Sequence, residues 1–115
     1  MSRVSAVTTH VLDTARGLPA AGVVVRLELV SDDGQLAVGQ SVTDADGRAR
    51  DLGPALLPPG TYRLVFDTGA YFAARGIEPA FFPEVAVMFR VAGDVPHHHV
   101  PLLLSQFAYS TYRGS

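Results

Sequence analysis

GVVVRLELVSDDGQLAVGQSVT, Gly22–Thr43, is the stretch on which the fold turns. From Gly22 to Val30 the residues divide by parity. Val23, Val25, Leu27 and Leu29 share one face, while Val24, Arg26, Glu28 and Val30 share the other. A period of two belongs to a strand, whose successive side chains point to opposite sides. The apolar face reads as the core side, and the mixed face as one open to solvent or a partner. SDDG, Ser31–Gly34, is a hairpin signal. Gln35–Thr43 is then the returning strand.

The same rhythm continues on both sides of this hairpin. Upstream, Ser5–Leu12 alternates as a first strand, and ARGLPAAG, Ala15–Gly22, is a loop with glycine and proline at turn positions. Downstream, DADG, Asp44–Gly47, makes a second turn and delivers Arg48 to the start of the next strand. LGPALLPPG, Leu52–Gly60, is a proline-rich connection, since proline cannot donate to a ladder. Thr61–Asp67 resumes the alternation, with Tyr62, Leu64 and Phe66 facing one way. In TGAYFAARG the period changes, which predicts one short helix of about two turns ended by Gly76. Further strands are expected over Glu84–Ala92, His97–Leu104 and Phe107–Tyr112. About eight short strands and one helix specify an all-β fold, a two-sheet antiparallel β-sandwich.

Composition narrows the function classes. A chain of 115 residues has room for one core, so a single domain over residues 1–115 is expected. Nearly half the residues are hydrophobic and 17% are charged, which suits a packed globule and not a disordered chain. The net charge of −2, with no basic run, gives no reason to expect a nucleic-acid partner. Cysteine is absent, which removes disulfides and thiolate chemistry. The stretch Met1–Asp13 alternates like a strand and lacks the apolar centre of a signal peptide. No segment approaches the roughly 20 apolar residues of a membrane helix. A cytoplasmic protein without membrane contact is the expectation. The chain also lacks a glycine-rich phosphate loop, H-E-x-x-H and G-x-S-x-G.

Chemistry is concentrated in histidine. Three of the four histidines are adjacent in PHHHVPLLLS, Pro96–Ser105, and the fourth is His10 in TTHVLD. Alternation splits the triplet, placing His97 and His99 together and turning His98 away. An H-x-H pair on a strand can bind zinc, with His10 as a third ligand beside an open position. It can equally be two solvated side chains at a strand end. Arg48 and its same-face companion Arg50 flank a turn, where charges are commonly just solvated, and sequence alone does not separate them. Asp44, Asp46 and Asp51 are ordinary turn-formers, and YRGS, Tyr112–Ser115, reads locally as a frayed terminus.

Three segments taken together resemble the transthyretin-like family, in particular its 5-hydroxyisourate hydrolase branch. They are HVLDTARGLPAAGVVV (His10–Val25), TDADGRARDL (Thr43–Leu52) and HHHVPLLLSQFAYSTYRGS (His97–Ser115). The matches run in order from the first strand to the last residue. The hormone-carrying branch has lysine where His10 stands, and lacks both the histidine pair and the YRGS ending. Two positions depart from the hydrolase pattern: His98 replaces a usual tyrosine and Gln106 a frequent proline. The resemblance implies a transthyretin-like (prealbumin-like) fold and hydrolysis of 5-hydroxyisourate in urate catabolism. It implies no metal or organic cofactor. It also implies a homotetramer, a dimer of dimers with active sites in the channel between them. Carried over by position, His10, Arg48, His99 and Ser115 would be catalytic, with His10, Arg48 and Tyr112 also holding substrate. His97, Arg113 and Gly114 are lesser candidates. The competing expectations are a carrier of aromatic ligands in the same channel and a zinc hydrolase built on the histidines.

Overall fold

The central hairpin forms where the alternation places it. In the computed structural model, which describes residues 5–115, β3 (Val24–Ser31) and β4 (Gly34–Val42) pair antiparallel around Asp32 and Asp33. Residues 1–4 of the expected N-terminal alternation lie outside the described residues. Val23, Val25 and Leu27 are fully buried, whereas Arg26 and Glu28 stay partly exposed on the opposite face. There Glu28 accepts from Arg63 Nε at 2.6 Å. A bulge interrupts the register at Leu27/Glu28, and Gly39 sits opposite it. Gly39 is small because the backbone of Leu52 lies directly against it; a Cβ there would overlap the Leu52 carbonyl.

Around this hairpin the remaining elements are β1 (Val7–Asp13), β2 (Leu18–Pro19), β5 (Arg48–Ala49), β6 (Gly60–Phe66), α1 (Thr68–Ala73), β7 (Val85–Val91), β8 (His98–His99), β9 (Leu102–Leu104) and β10 (Tyr109–Thr111). They form two sheets. One has the order β4-β3-β6-β7; the other runs β10-β9-β1-β2, with β5 and β8 also paired to β1. Tyr62, Leu64 and Phe66 from the first sheet face Val7, Val11, Leu102 and Leu104 from the second, all buried in one cluster. Each such side chain contributes about 1.5–3 kcal/mol on removal from water. Thr9 is a polar member of that inner face, and its hydroxyl donates to Val100 O at 2.6 Å.

Two features differ from the sequence expectation. The single strand expected over His97–Leu104 is broken into β8 and β9. Pro101 has no N–H to give, so the ladder lapses there and resumes in the same register. Both pieces also run parallel to β1, whereas the other pairings are antiparallel. Parallel and antiparallel strands share a period of two, so alternation is blind to the difference. In addition, the Ala15–Gly22 loop contains the two-residue β2.

The helix is short, as expected, and bounded at both ends. Asp67 caps it by accepting from Ala70 N at 3.1 Å. Gly76, at φ 80°, closes it, with Gly76 N donating to Ala73 O and Ile77 N to Phe72 O. Tyr71 ties the helix to β1 by donating to Asp13 Oδ2 at 2.7 Å. Among the described residues no helix is long and apolar enough to cross a membrane.

Candidate active site

β1 lies in the middle of its sheet, and its parity sorts structure from chemistry. Val7, Thr9, Val11 and Asp13 point into the sandwich, while Thr8, His10 and Leu12 point to the outer face. His10 pairs in register with Arg48 of β5, which places imidazole and guanidinium side by side. The DADG turn sets that pairing. The Asp44 carboxylate accepts from Asp46 N at 2.9 Å and Arg48 N at 3.0 Å. The Arg48 N–H leads the effects that hold the Asp44 carboxyl below its usual range. The same turn fixes His10: its Nε2 lies 2.8 Å from Asp46 O. A carbonyl only accepts, so Nε2 carries the proton and the lone pair of neutral His10 is on Nδ1.

The histidine triplet divides as alternation requires. His97 Nε2 and His99 Nδ1 lie 3.1 Å and 2.8 Å from one atom, the Thr8 hydroxyl oxygen. His98 turns inward, is 7% exposed and packs against Phe89. Its Nδ1 has no hydrogen-bond partner among the described residues. Burial, and then the charge of Arg113, push its pKa below the ordinary value. His99 is also lowered, first by burial and next by the Arg48 guanidinium. A partly buried imidazole beside a guanidinium gives up its proton more easily, which favours the free base at His99.

The YRGS segment is pinned, not frayed. β10 pairs with β9, the Thr111 hydroxyl donates to Pro101 O, and Gly114 N donates to His99 O at 2.8 Å. Gly114 rests on the His99 ring, where an added Cβ would come within 2.6 Å of Cδ2. This contact carries Ser115 to the outer face.

Arg48, His97, His99 and Ser115 thereby line one open cavity of about 240 Å³, with Thr8, Thr9 and Arg50 completing its wall. His10 borders it through its pairing with Arg48. The other candidates go elsewhere. Tyr112 and Arg113 line a second cavity of about 340 Å³ with Phe89, Arg90 and His98, and His99 reaches both. Arg48 is partly buried and Arg50 exposed, a distinction that the alternation of the sequence does not carry. Thr8 is the residue that sequence reasoning missed. Its signal was present, since it stands two positions before His10 and so on the same face. Among the described residues no group of three or more His, Asp or Glu side chains is disposed to hold a metal ion.

Chemically, the cavity combines a neutral imidazole, two guanidinium groups and hydroxyls, with no carboxylate side chain in its wall. Such a site can take a proton from water and receive a developing oxyanion. Known proteins point the same way. A 5-hydroxyisourate hydrolase of Salmonella typhimurium is 47% identical over 109 residues, covering 94% of this chain and 79% of its own. The structure of Klebsiella pneumoniae 5-hydroxyisourate hydrolase superposes with a TM-score of 0.82 at 40% identity, covering 96% of this chain and all of that one. Transthyretin from Sparus aurata superposes with a TM-score of 0.86, at 32% identity and 95% and 96% coverage. The fold is thus shared by hydrolase and transthyretin alike, and sequence identity is higher to these hydrolases. The HIUase/Transthyretin family model matches residues 7–114, nearly the whole length, and the chain belongs to that family.

Proposed function

We propose that this chain hydrolyses 5-hydroxyisourate, adding water across a ring C–N bond to give 2-oxo-4-hydroxy-4-carboxy-5-ureidoimidazoline in urate degradation. Relatives bearing the hydrolase name at 40–47% identity support the substrate. The observation that carries the chemistry is the shared cavity, in which Arg48, His99 and Ser115 meet from three distant segments.

In this reading neutral His99 takes a proton from water as it attacks the ring carbonyl. Arg48 offers its planar fork of donors to the developing oxyanion. His99 then returns the proton to the leaving ring nitrogen. His10, anchored through Nε2, directs its Nδ1 lone pair to orient water or a ring N–H. Ser115 holds substrate by its hydroxyl, and Tyr112 does so from a neighbouring position in the assembled protein. No metal or organic cofactor enters the reaction.

The reading includes a homotetramer working in the cytoplasm. Each sheet ends on an uncovered strand, β7 in one and β10 in the other. Those edges carry exposed Met88 and Tyr109, with exposed Tyr112 just beyond β10. Open ladder edges with apolar side chains favour pairing with a second copy. Packing of two such dimers would cover the cavity.

A spectroscopic assay with freshly generated 5-hydroxyisourate tests the reading. The protein should accelerate its decay, and His10→Ala, Arg48→Ala and His99→Ala should each lower turnover roughly 10²-fold. A protein that leaves the spontaneous rate unchanged would be a carrier, and the hydrolase reading would fall.

A further inference from the structure

We infer that Thr8 is a positioning residue that links His97 and His99 into one proton relay, its hydroxyl setting which nitrogen of His99 is free for the proposed hydrolysis. The inference rests on the hydrolase reading for its catalytic meaning, but its structural content stands apart from the substrate. One oxygen, Thr8 Oγ1, lies 3.1 Å from His97 Nε2 and 2.8 Å from His99 Nδ1. Thr8 is 5% exposed, and the two imidazoles are its only side-chain hydrogen-bond partners among the described residues. A hydroxyl has one proton to give and two lone pairs. The buried proton of Thr8 therefore needs one imidazole nitrogen as acceptor, and the other imidazole donates to the oxygen.

Two arrangements satisfy this count. In one, His99 Nδ1–H donates to Thr8 and the Thr8 proton goes to His97 Nε2; the lone pair of His99 is then on Nε2. In the other every donor is reversed, and His99 carries its proton on Nε2. The two interconvert when a proton is taken up. As His99 Nε2 removes a proton from water, its Nδ1 proton passes to Thr8 and the Thr8 proton passes to His97. Three N–H or O–H bonds form and three break. The net change is a positive charge placed on His97 and a hydroxide equivalent delivered to the ring carbonyl. Reversal returns the proton to His99 when the ring nitrogen leaves.

The surroundings favour this direction of transfer. His97 is exposed and can be solvated when charged, whereas His99 is partly buried. Burial and the neighbouring Arg48 guanidinium oppose a standing proton on His99, and outweigh the hydrogen bond to the Thr8 backbone that favours one. A threonine between the two imidazoles lets one ring act first as base and then as acid.

The test has a kinetic and a spectroscopic arm. Thr8→Val should lower kcat at least about tenfold with KM changed less than about twofold, and Thr8→Ser should restore kcat to within about threefold. Imidazole 15N spectra of the unmodified protein near neutral pH should show one protonated and one unprotonated nitrogen between His97 Nε2 and His99 Nδ1. Both resonances should shift in Thr8→Val. Undiminished kcat in a folded Thr8→Val, or spectra showing both nitrogens protonated at neutral pH, would overturn the relay. If the unmodified protein fails to accelerate 5-hydroxyisourate decay, the hydrolase reading fails, and the 15N spectra still decide whether the hydrogen-bonded link exists.

Discussion

At the level of single residues, His99 and His98 show how adjacent identical side chains acquire different chemistry. Both are pushed below the ordinary histidine pKa, and burial is the first cause in each. His99 meets a cavity and a hydroxyl, while His98 meets Phe89 and leaves Nδ1 unbonded among the described residues. For a base whose folded pKa is depressed, the unfolded chain takes up a proton near pH 6.5 and the folded chain does not. Stability from these residues is therefore complete above about pH 6.5 and is lost as pH falls through the folded values. His99 should remain a free base to below that pH, so kcat/KM should fall only on the acid side of it. Titration followed by NMR would check this. Arg48→Gln should raise the His99 midpoint, and an unmoved midpoint would exclude Arg48 as a source of the shift. The parity of His97, His98 and His99 was legible from three letters of sequence. The Thr8 contact was not, because it joins residues 89 and 91 positions apart.

Among the elements, the turn Asp44–Gly47 exerts the closest control over the site. One carboxylate receives the N–H groups of Asp46 and Arg48, and the Asp46 carbonyl receives His10. Turn geometry is thereby converted into the relative placement of an imidazole and a guanidinium. Asp44→Ala should reduce turnover by about tenfold or more through misplacement of Arg48 and His10. Asp44→Asn keeps an acceptor oxygen and should retain most of the activity. Equal activity in all three proteins would show that the turn does not set the pairing. Sequence revealed this turn, since D-x-D-G is a strong local signal, and it also revealed the hairpin at Ser31–Gly34. It concealed the break at Pro101 only in part: the proline is visible, but its lapse matters because of the strand beside it. Local chemistry is written in neighbours along the chain, and pairing partners are not.

For the molecule as a whole, the uncovered edges β7 and β10 carry the proposed assembly. Met88, 61% exposed, stands on β7, where a charge would oppose edge-to-edge pairing. Met88→Lys should give a smaller species by sedimentation, with specific activity that falls further on dilution. A variant that sediments and turns over like the unmodified protein would remove this edge from the interface. The architecture followed from alternation in Gly22–Val30 and Thr61–Asp67: Val23, Val25, Leu27, Tyr62, Leu64 and Phe66 are buried as their parity requires, while Leu29 is only partly covered and Val65, of the opposite parity, is buried as well. The division of YRGS between two cavities had no counterpart in the sequence, because it depends on Gly114 crossing the His99 ring.

The parallel pairing of β1 with β8 and β9 has a kinetic meaning. Thr8 and His99 touch only after a loop of some ninety residues has closed. Contacts of such separation form late, because the chain entropy of closure is spent before they return any stabilisation. The candidate site is therefore expected among the last parts of the native structure to assemble. A partly folded chain holding only the β3–β4 hairpin and β6 would possess much of one sheet and none of the chemistry. On refolding, recovered turnover should then report that the two ends of the chain have met.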